Sequence, residues 1–156
     1  MKISLIWDKP LRLKDGSKFS QVYYCPKLDR ISNKAGVYVF ARSFGAVVTP
    51  LYVGKALRLR NRIGHHFKGN VRLMMKMKRA DIGHRILLVG RLKLGRGQRK
   101  EKVLDIVESA LIKRALTLGH VLLNKQNVKV RLHTIKSKGN HSSKQIAPLA
   151  MLVERK

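Results

Sequence analysis

Eight acidic residues stand against 35 lysines and arginines in this chain of 156 residues, so the place of each carboxylate is informative. Glu108 is the one whose surroundings suggest chemistry. On a helical wheel of about 100° per residue, the segment 101–118 sets it beside Leu104, Leu111, Ile112 and Ala115. That is the apolar side, where an ionised carboxylate costs several kcal/mol unless something compensates it. Either one of the many arginines pairs with it, or it is a hard-cation ligand at the mouth of a basic groove. Carboxylate oxygen suits Mg²⁺, which often takes one or two protein carboxylates and fills its shell with water and phosphate. One inward carboxylate among phosphate-binding bases is what single-metal phosphodiester hydrolysis needs. Glu101 and Asp105 lie toward the edge of that face and read as solvated, with no second carboxylate near Glu108.

The bases name the partner. A net charge of +27 repels itself in a compact chain unless a polyanion neutralises it. Lys55 to Lys100 holds fifteen bases and one acid, Asp81, and Glu108 to Glu154 brackets eight more bases and no acid. A solvated helix face mixes signs for i,i+4 pairing, so these runs read as nucleic-acid contacts, with an anionic membrane a distant second. Charge alone does not separate DNA from RNA, or a nuclease from a ribosomal-type protein. Cys25, the only cysteine, excludes an internal disulfide and a zinc pair, and reads as a free thiol in a reducing compartment. No stretch approaches the roughly 18 apolar residues of a membrane span. Asp8 interrupts the apolar start too soon for a signal-peptide core. The expectation is a soluble, cytoplasmic, nucleoid-associated protein of one domain, able to bury roughly 68–70% of its unfolded surface.

These residues need elements to position them. Residues 1–34 read as an arm or short hairpin, turning at Asp15-Gly16-Ser17. Gly36 to Phe40 is rich in β-formers, and Val47 to Val53 is a second strand interrupted by Pro50, so the two form a hairpin about Ser43–Ala46. Leu57 to Phe67 is a basic helix weakened by Gly64. Val71 to Arg79 is a second short helix, its Met74, Met75 and Met77 filling core. Arg85 to Leu92 reads as a buried strand, followed by a basic turn at Gly95–Gln98. Glu101 to Leu118 is the clearest helix, with Gly119 as its stop. Val128 to Thr134 alternates as a late strand, Lys136 to Lys144 is a polar loop, and Ala147 to Val153 adds an edge strand. The sum is an α+β domain with a small mixed sheet.

Gly36-Val37-Tyr38 and Tyr52-Val53-Gly54 fall on the two strands of the hairpin. Lys55-Ala56 follows, then Arg62, His66 and Phe67 on the basic helix, Glu108 on the long helix, and Asn124 after it. Either tripeptide alone is an ordinary strand string; the ordered set is specific. It resembles the GIY-YIG nuclease family across residues 35–127. The resemblance implies a small α+β domain with a three-stranded antiparallel sheet flanked by helices; residues 128–156, beyond it, read as a basic extension packed on the same domain. It also implies phosphodiester hydrolysis with one divalent metal, Mg²⁺ with Mn²⁺ as substitute. Glu108 matches the metal-binding glutamate, and Arg62 the arginine that grips the scissile phosphate. Tyr38 and Tyr52 match the paired tyrosines, one of which activates the water. His66 matches a position that is histidine in some members and tyrosine in others, and Asn124 the late bracing asparagine.

Elementary chemistry agrees with those roles. Arginine offers a rigid fork to phosphate and to charge developing in a transition state. A phenol titrates near 10, so a tyrosine base needs cations nearby, and Lys55, Arg58 and Arg62 follow Tyr52. Lys55, Arg58, Arg60 and Lys68 are the expected substrate contacts, supported by the N-terminal arm and the basic segments 68–100 and 125–144. Gly54 suits a tight strand exit where a side chain would block the phosphate. Blander roles stand beside these: half-buried strand tyrosines, a packed His66, a turn Asn124 with Asn127 as rival, and a solvated His65. Without a linker or separate DNA-binding domain, the chain fits a compact enzyme like the restriction endonucleases of the family, with one site per chain and a homodimer on DNA for double-strand cuts. The alternative is a non-catalytic nucleic-acid-binding protein of ribosomal or nucleoid type with a degenerate nuclease fold.

Overall fold

The computed structural model describes residues 2–124, 132–146 and 150–154. Its centre is a sheet of β1 (Ser4–Trp7), β2 (Leu11–Arg12), β5 (Gly36–Phe44), β6 (Val47–Ala56) and β7 (His84–Lys93), antiparallel throughout and not mixed as the element pattern suggested. The order is β1-β7-β5-β6, and β2 also pairs with β7. The three strands expected from the resemblance form its core, and the N-terminal segment adds two more along β7. A small hairpin of β3 (Lys14–Asp15) and β4 (Tyr23–Tyr24) follows within that segment.

Helices cover both faces. α1 (Leu59–Gly69) and α2 (Val71–Lys78) bury Leu59, Ile63, Phe67, Leu73, Met74 and Met77 against Tyr38, Phe40 and Leu87. α3 (Lys100–Thr117) lays Val103, Leu104, Val107, Ile112 and Ala115 on the other face. Buried on both sides, β5 is a continuous apolar run from Gly36 to Ala41 rather than an alternating one. Each large side chain fully buried there is worth roughly 1.5–3 kcal/mol. α3 ends at Gly119, whose φ of 83° is left-handed.

Pro50 does not break β6. The register shifts between Phe40 and Ala41, which pair with Tyr52 and Pro50, leaving Leu51 as a bulge on the edge strand, a place that tolerates proline. The bases are also less free than charge counting implied. The buried Arg85 donates to the carbonyls of Met77, Ala80, Asp81 and Gly83, so carbonyls rather than carboxylates satisfy it.

The C-terminal expectations need correction. β8 (Leu132–Lys136) and β9 (Ala150–Glu154) pair with each other in a separate two-stranded sheet, so β9 is no edge strand of the main one. The expected polar loop contains α4 (His141–Ile146), started by Asn140, whose side chain accepts the Ser143 N–H at 3.0 Å. The parts of these readings on residues 128–131 and 147–149, and Asn127, lie outside the described residues. Among the described residues no helix is long and apolar enough to cross a membrane.

Candidate active site

The hairpin register does the first part of the positioning. Tyr38 pairs with Gly54 and Phe40 with Tyr52, so both tyrosines lie on the α1 face of the sheet. A Cβ on Gly54 would overlap the Tyr38 ring and hydroxyl. Glycine is therefore required in mid-strand to seat the phenol, and not at a strand exit as the sequence suggested. One turn apart on α1, Arg62 and His66 face the same place. The rings of Tyr38 and Tyr52 both lie beside the His66 ring, at centroid distances of 5.4 and 5.5 Å.

A cavity of about 420 Å³ opens there. Tyr38, Tyr52, Lys55, Arg62, Glu108 and Asn124 all line it. α3 belongs to the opposite layer, and Glu108 reaches the cavity past β6, the edge strand. His66 does not line the cavity; it is buried behind Tyr38. Arg58, Arg60 and Lys68 are exposed and do not line it either, and the Arg60 Nε donates to the Ile31 carbonyl at 2.8 Å. Arg72 and Lys76, one turn apart on α2, stand in their place together with Asn70. The sequence held that signal in the i,i+4 bases opposite Met74 and Met77, but the methionines drew the reading to the core.

Glu108 has a different neighbour from the one expected. Its Oε2 lies 2.8 Å from the Lys55 ammonium, which also donates to Asp105 Oδ1 at 2.6 Å. Its partner is thus a lysine, and a second carboxylate does stand near it. The two acids, one turn apart on α3, hold the lysine proton more tightly than usual, Asp105 foremost. Lys55, expected to meet substrate, is engaged here.

A chain of hydrogen bonds runs behind the tyrosine. Asn70 Oδ1 caps α2 by accepting the Leu73 N–H at 3.3 Å, which turns its Nδ2 toward His66 Nδ1 at 3.1 Å. With Nδ1 accepting, His66 carries its proton on Nε2 and donates it to the Tyr38 hydroxyl oxygen at 2.5 Å. Burial, and then the Arg62 charge, lower the His66 pKa to about 4, so the ring is neutral at physiological pH. Burial likewise raises the Tyr38 phenol above its usual value, the neighbouring Tyr52 adds to this, and Arg62 opposes it. Asn124 is fully used as a brace: Nδ2 donates to the Val53 carbonyl at 2.6 Å and Oδ1 accepts the Val53 N–H at 3.0 Å. With Leu123 bonded to Leu51, it closes the open edge of β6.

Cys25 is a buried free thiol away from this site, its pKa raised chiefly by burial. Among the described residues no three His, Cys, Asp or Glu cluster as metal ligands. Comparison with protein-family models, curated proteins and solved structures finds no match.

Proposed function

We propose that the chain is a divalent-metal-dependent DNA endonuclease of the GIY-YIG type, hydrolysing phosphodiesters in the cavity between Tyr38 and Glu108. The observation that supports it is convergence: Tyr38 from β5, Tyr52 from β6, Arg62 from α1 and Glu108 from α3 meet in one cavity. In this reading Arg62 grips the reacting phosphate and meets the charge that develops on it. Arg72 and Lys76 hold the flanking backbone. Tyr38, with its oxygen accepting from His66, is left to turn its own proton toward Tyr52 and the cavity, where a bound water or phosphate oxygen would accept it. A phenol raised by burial gives up that proton only beside a cation, and Arg62 supplies one charge.

The donor chemistry fits Mg²⁺, or Mn²⁺ in its place. Glu108 and Asp105 already direct two oxygens at one cation, the Lys55 ammonium, and such an ion needs few protein carboxylates when phosphate and water complete its shell. Glu108 would hold it with Asp105 in support. Bound there, the ion supplies Lewis-acid stabilisation to the phosphate. In the free chain Lys55 keeps the two carboxylates converged on one point, and its ammonium would move aside for the ion. One such site per chain cuts one strand, so concerted double-strand cleavage would call for a homodimer on DNA. A nucleoid-associated, cytoplasmic setting would suit a DNA substrate.

The Lys55 pairing also favours a second reading, a nucleic-acid-binding protein without turnover, in which the ammonium is the permanent counter-ion of Glu108. Glu108→Ala separates the two, because its charge effect and its catalytic effect oppose each other. Removing an acid from a chain at +27 leaves DNA affinity unchanged or raised. Lys55 keeps Asp105 as its partner, so no charge is stranded and the fold holds. The measurement is a thermal melt, a binding isotherm and a cleavage time course in Mg²⁺ and in EDTA, on duplex, branched and single-stranded DNA with RNA as control. The expected result is a folded variant that binds and no longer cuts. Wild-type cleavage by the variant, or none by the parent chain in Mg²⁺, ends the nuclease reading.

A further inference from the structure

A second cavity, of about 400 Å³, lies on the same face of the sheet at its other end. Val89 pairs with Tyr38 across β5 and β7, so Val89 and Arg91 face the α1 side as Tyr38 does. α1 stands between the cavities: Arg62 and His66 serve the first, while Arg60 holds the Ile31 carbonyl at the wall of the second. That wall is the single helical turn Leu28–Arg30, closed by Arg30 N–H to the Lys27 carbonyl and Ile31 N–H to the Leu28 carbonyl, each at 3.1 Å. The opposite wall is pinned where the Asp8 N–H meets the Val89 carbonyl at 2.9 Å.

Four cations line this cavity, Lys9, Lys27, Arg30 and Arg91, against one carboxylate, Asp8. Arg91 takes that carboxylate, Nη2 at 2.9 Å and Nε at 3.0 Å from Oδ1. Lys9, Lys27 and Arg30 are exposed and have no acidic partner among the described residues. Asp29, exposed in the same turn, does not line the cavity, so three cations line one concavity whose single carboxylate is already held by Arg91, and together they form an anion site.

We propose that this cavity is a second phosphate-binding site, which holds nucleic-acid backbone beyond the phosphate that the first cavity receives. The inference rests on the nucleic-acid part of the functional reading and is independent of cleavage. The strands that line the first cavity, β5 and β6, and those that line the second, β7 and β2, are two strand spacings apart, about 10 Å. At about 3.4 Å of rise per nucleotide, that is roughly three nucleotides along one strand. The open shape and the long, mobile cationic side chains suit a continuous backbone better than an enclosed small anion.

The test is the triple variant Lys9→Gln, Lys27→Gln, Arg30→Gln in the full chain. Its control removes equal charge elsewhere, with Lys14→Gln, Lys18→Gln and Lys102→Gln. With at least about six phosphate contacts, the parent binds duplex DNA with a log–log salt slope steeper than about −5. The triple variant should flatten that slope by about two to three units and the control by less than one. Thermal melts confirm folding, and cleavage at saturating DNA should match the parent, because none of the three residues touches the first cavity. Equal slopes in triple and control overturn the inference and leave the nuclease reading standing. A flattened slope in a protein that never cleaves leaves the inference standing and removes the nuclease. No DNA binding by the parent ends both. Inorganic phosphate and a mononucleotide form the last arm: saturable binding lost in the triple variant, with the DNA slope unchanged, reassigns the cavity to a small anion and overturns the proposal.

Discussion

The two flanks of α1 use charge in opposite ways. On the Arg62 side, the groups are tied to one another: Lys55 to two carboxylates, His66 to Asn70 and Tyr38, and Asn124 to the backbone of β6. On the Lys27 side, three cations are exposed and have no acidic partner among the described residues, and the backbone beneath them is fixed by hydrogen bonds. Tied groups have fixed directions, which is what stabilising a transition state demands. Untied cations have mobile heads, enough to draw in a polyanion by counterion release. The first flank is therefore built to change a rate, and the second to change an affinity.

Arg62→Ala breaks this contrast with the largest effect. Arg62 lines the cavity beside Tyr38, while Arg72, Lys76 and the second flank still hold the backbone. Cleavage at saturating DNA should fall on the order of 10²–10³-fold, the loss seen when a dedicated oxyanion donor is removed. Affinity should fall far less. Single-turnover rates and binding isotherms measured together give the split, and equal losses in both would make Arg62 one more backbone contact.

The contrast also explains what the sequence disclosed. β5, β7 and α3 were legible because each carries a long apolar pattern of one period. β1 and β2 were not, because two to four residues of mixed polarity gain their strand character only from pairing with β7. In the site, Tyr38, Tyr52, Arg62 and Glu108 were legible as a motif in order. Asp105 is exposed at the edge of α3, as its place on the wheel implies, but its partner Lys55 is fifty residues away and only the fold brings them to 2.6 Å. Asn70 went unnoticed as a turn residue, although the break between two basic helices marks where a cap must sit. The cations of the second flank were visible as charge and invisible as a site, because the turn and the strand that hold them are far apart in the chain.

The buried imidazole gives the next largest effect, on stability. The folded state favours the neutral His66 ring, with a pKa of about 4 against an ordinary 6.5. Below pH 6.5 the unfolded chain binds the extra proton first, so the contribution is complete above pH 6.5 and is lost as pH falls toward 4. The difference is worth about 3 kcal/mol across that window. Urea unfolding of the parent between pH 4 and 7 should show it, and His66→Gln should flatten the dependence. An identical pH dependence in the two proteins would mean that His66 opens to solvent.

Asn70 offers the smallest effect and the finest test of what the tied side is for. Asn70→Ala removes the cap of α2 and should cost about 1 kcal/mol of stability. Asn70→Asp restores the cap, since aspartate accepts the Leu73 N–H as asparagine does. It cannot donate to His66 Nδ1. The ring must then place a proton on Nδ1, either by changing tautomer, which removes the donor from Tyr38, or by becoming a cation. The aspartate variant should therefore melt near the parent temperature, yet show altered His66 nitrogen shifts by NMR and an acid limb of the cleavage profile moved to higher pH. Parent-like shifts and profile in a variant of parent stability would reduce Asn70 to a helix cap. A recovered cap with a changed ring would show that its amide sets which way the Tyr38 proton points.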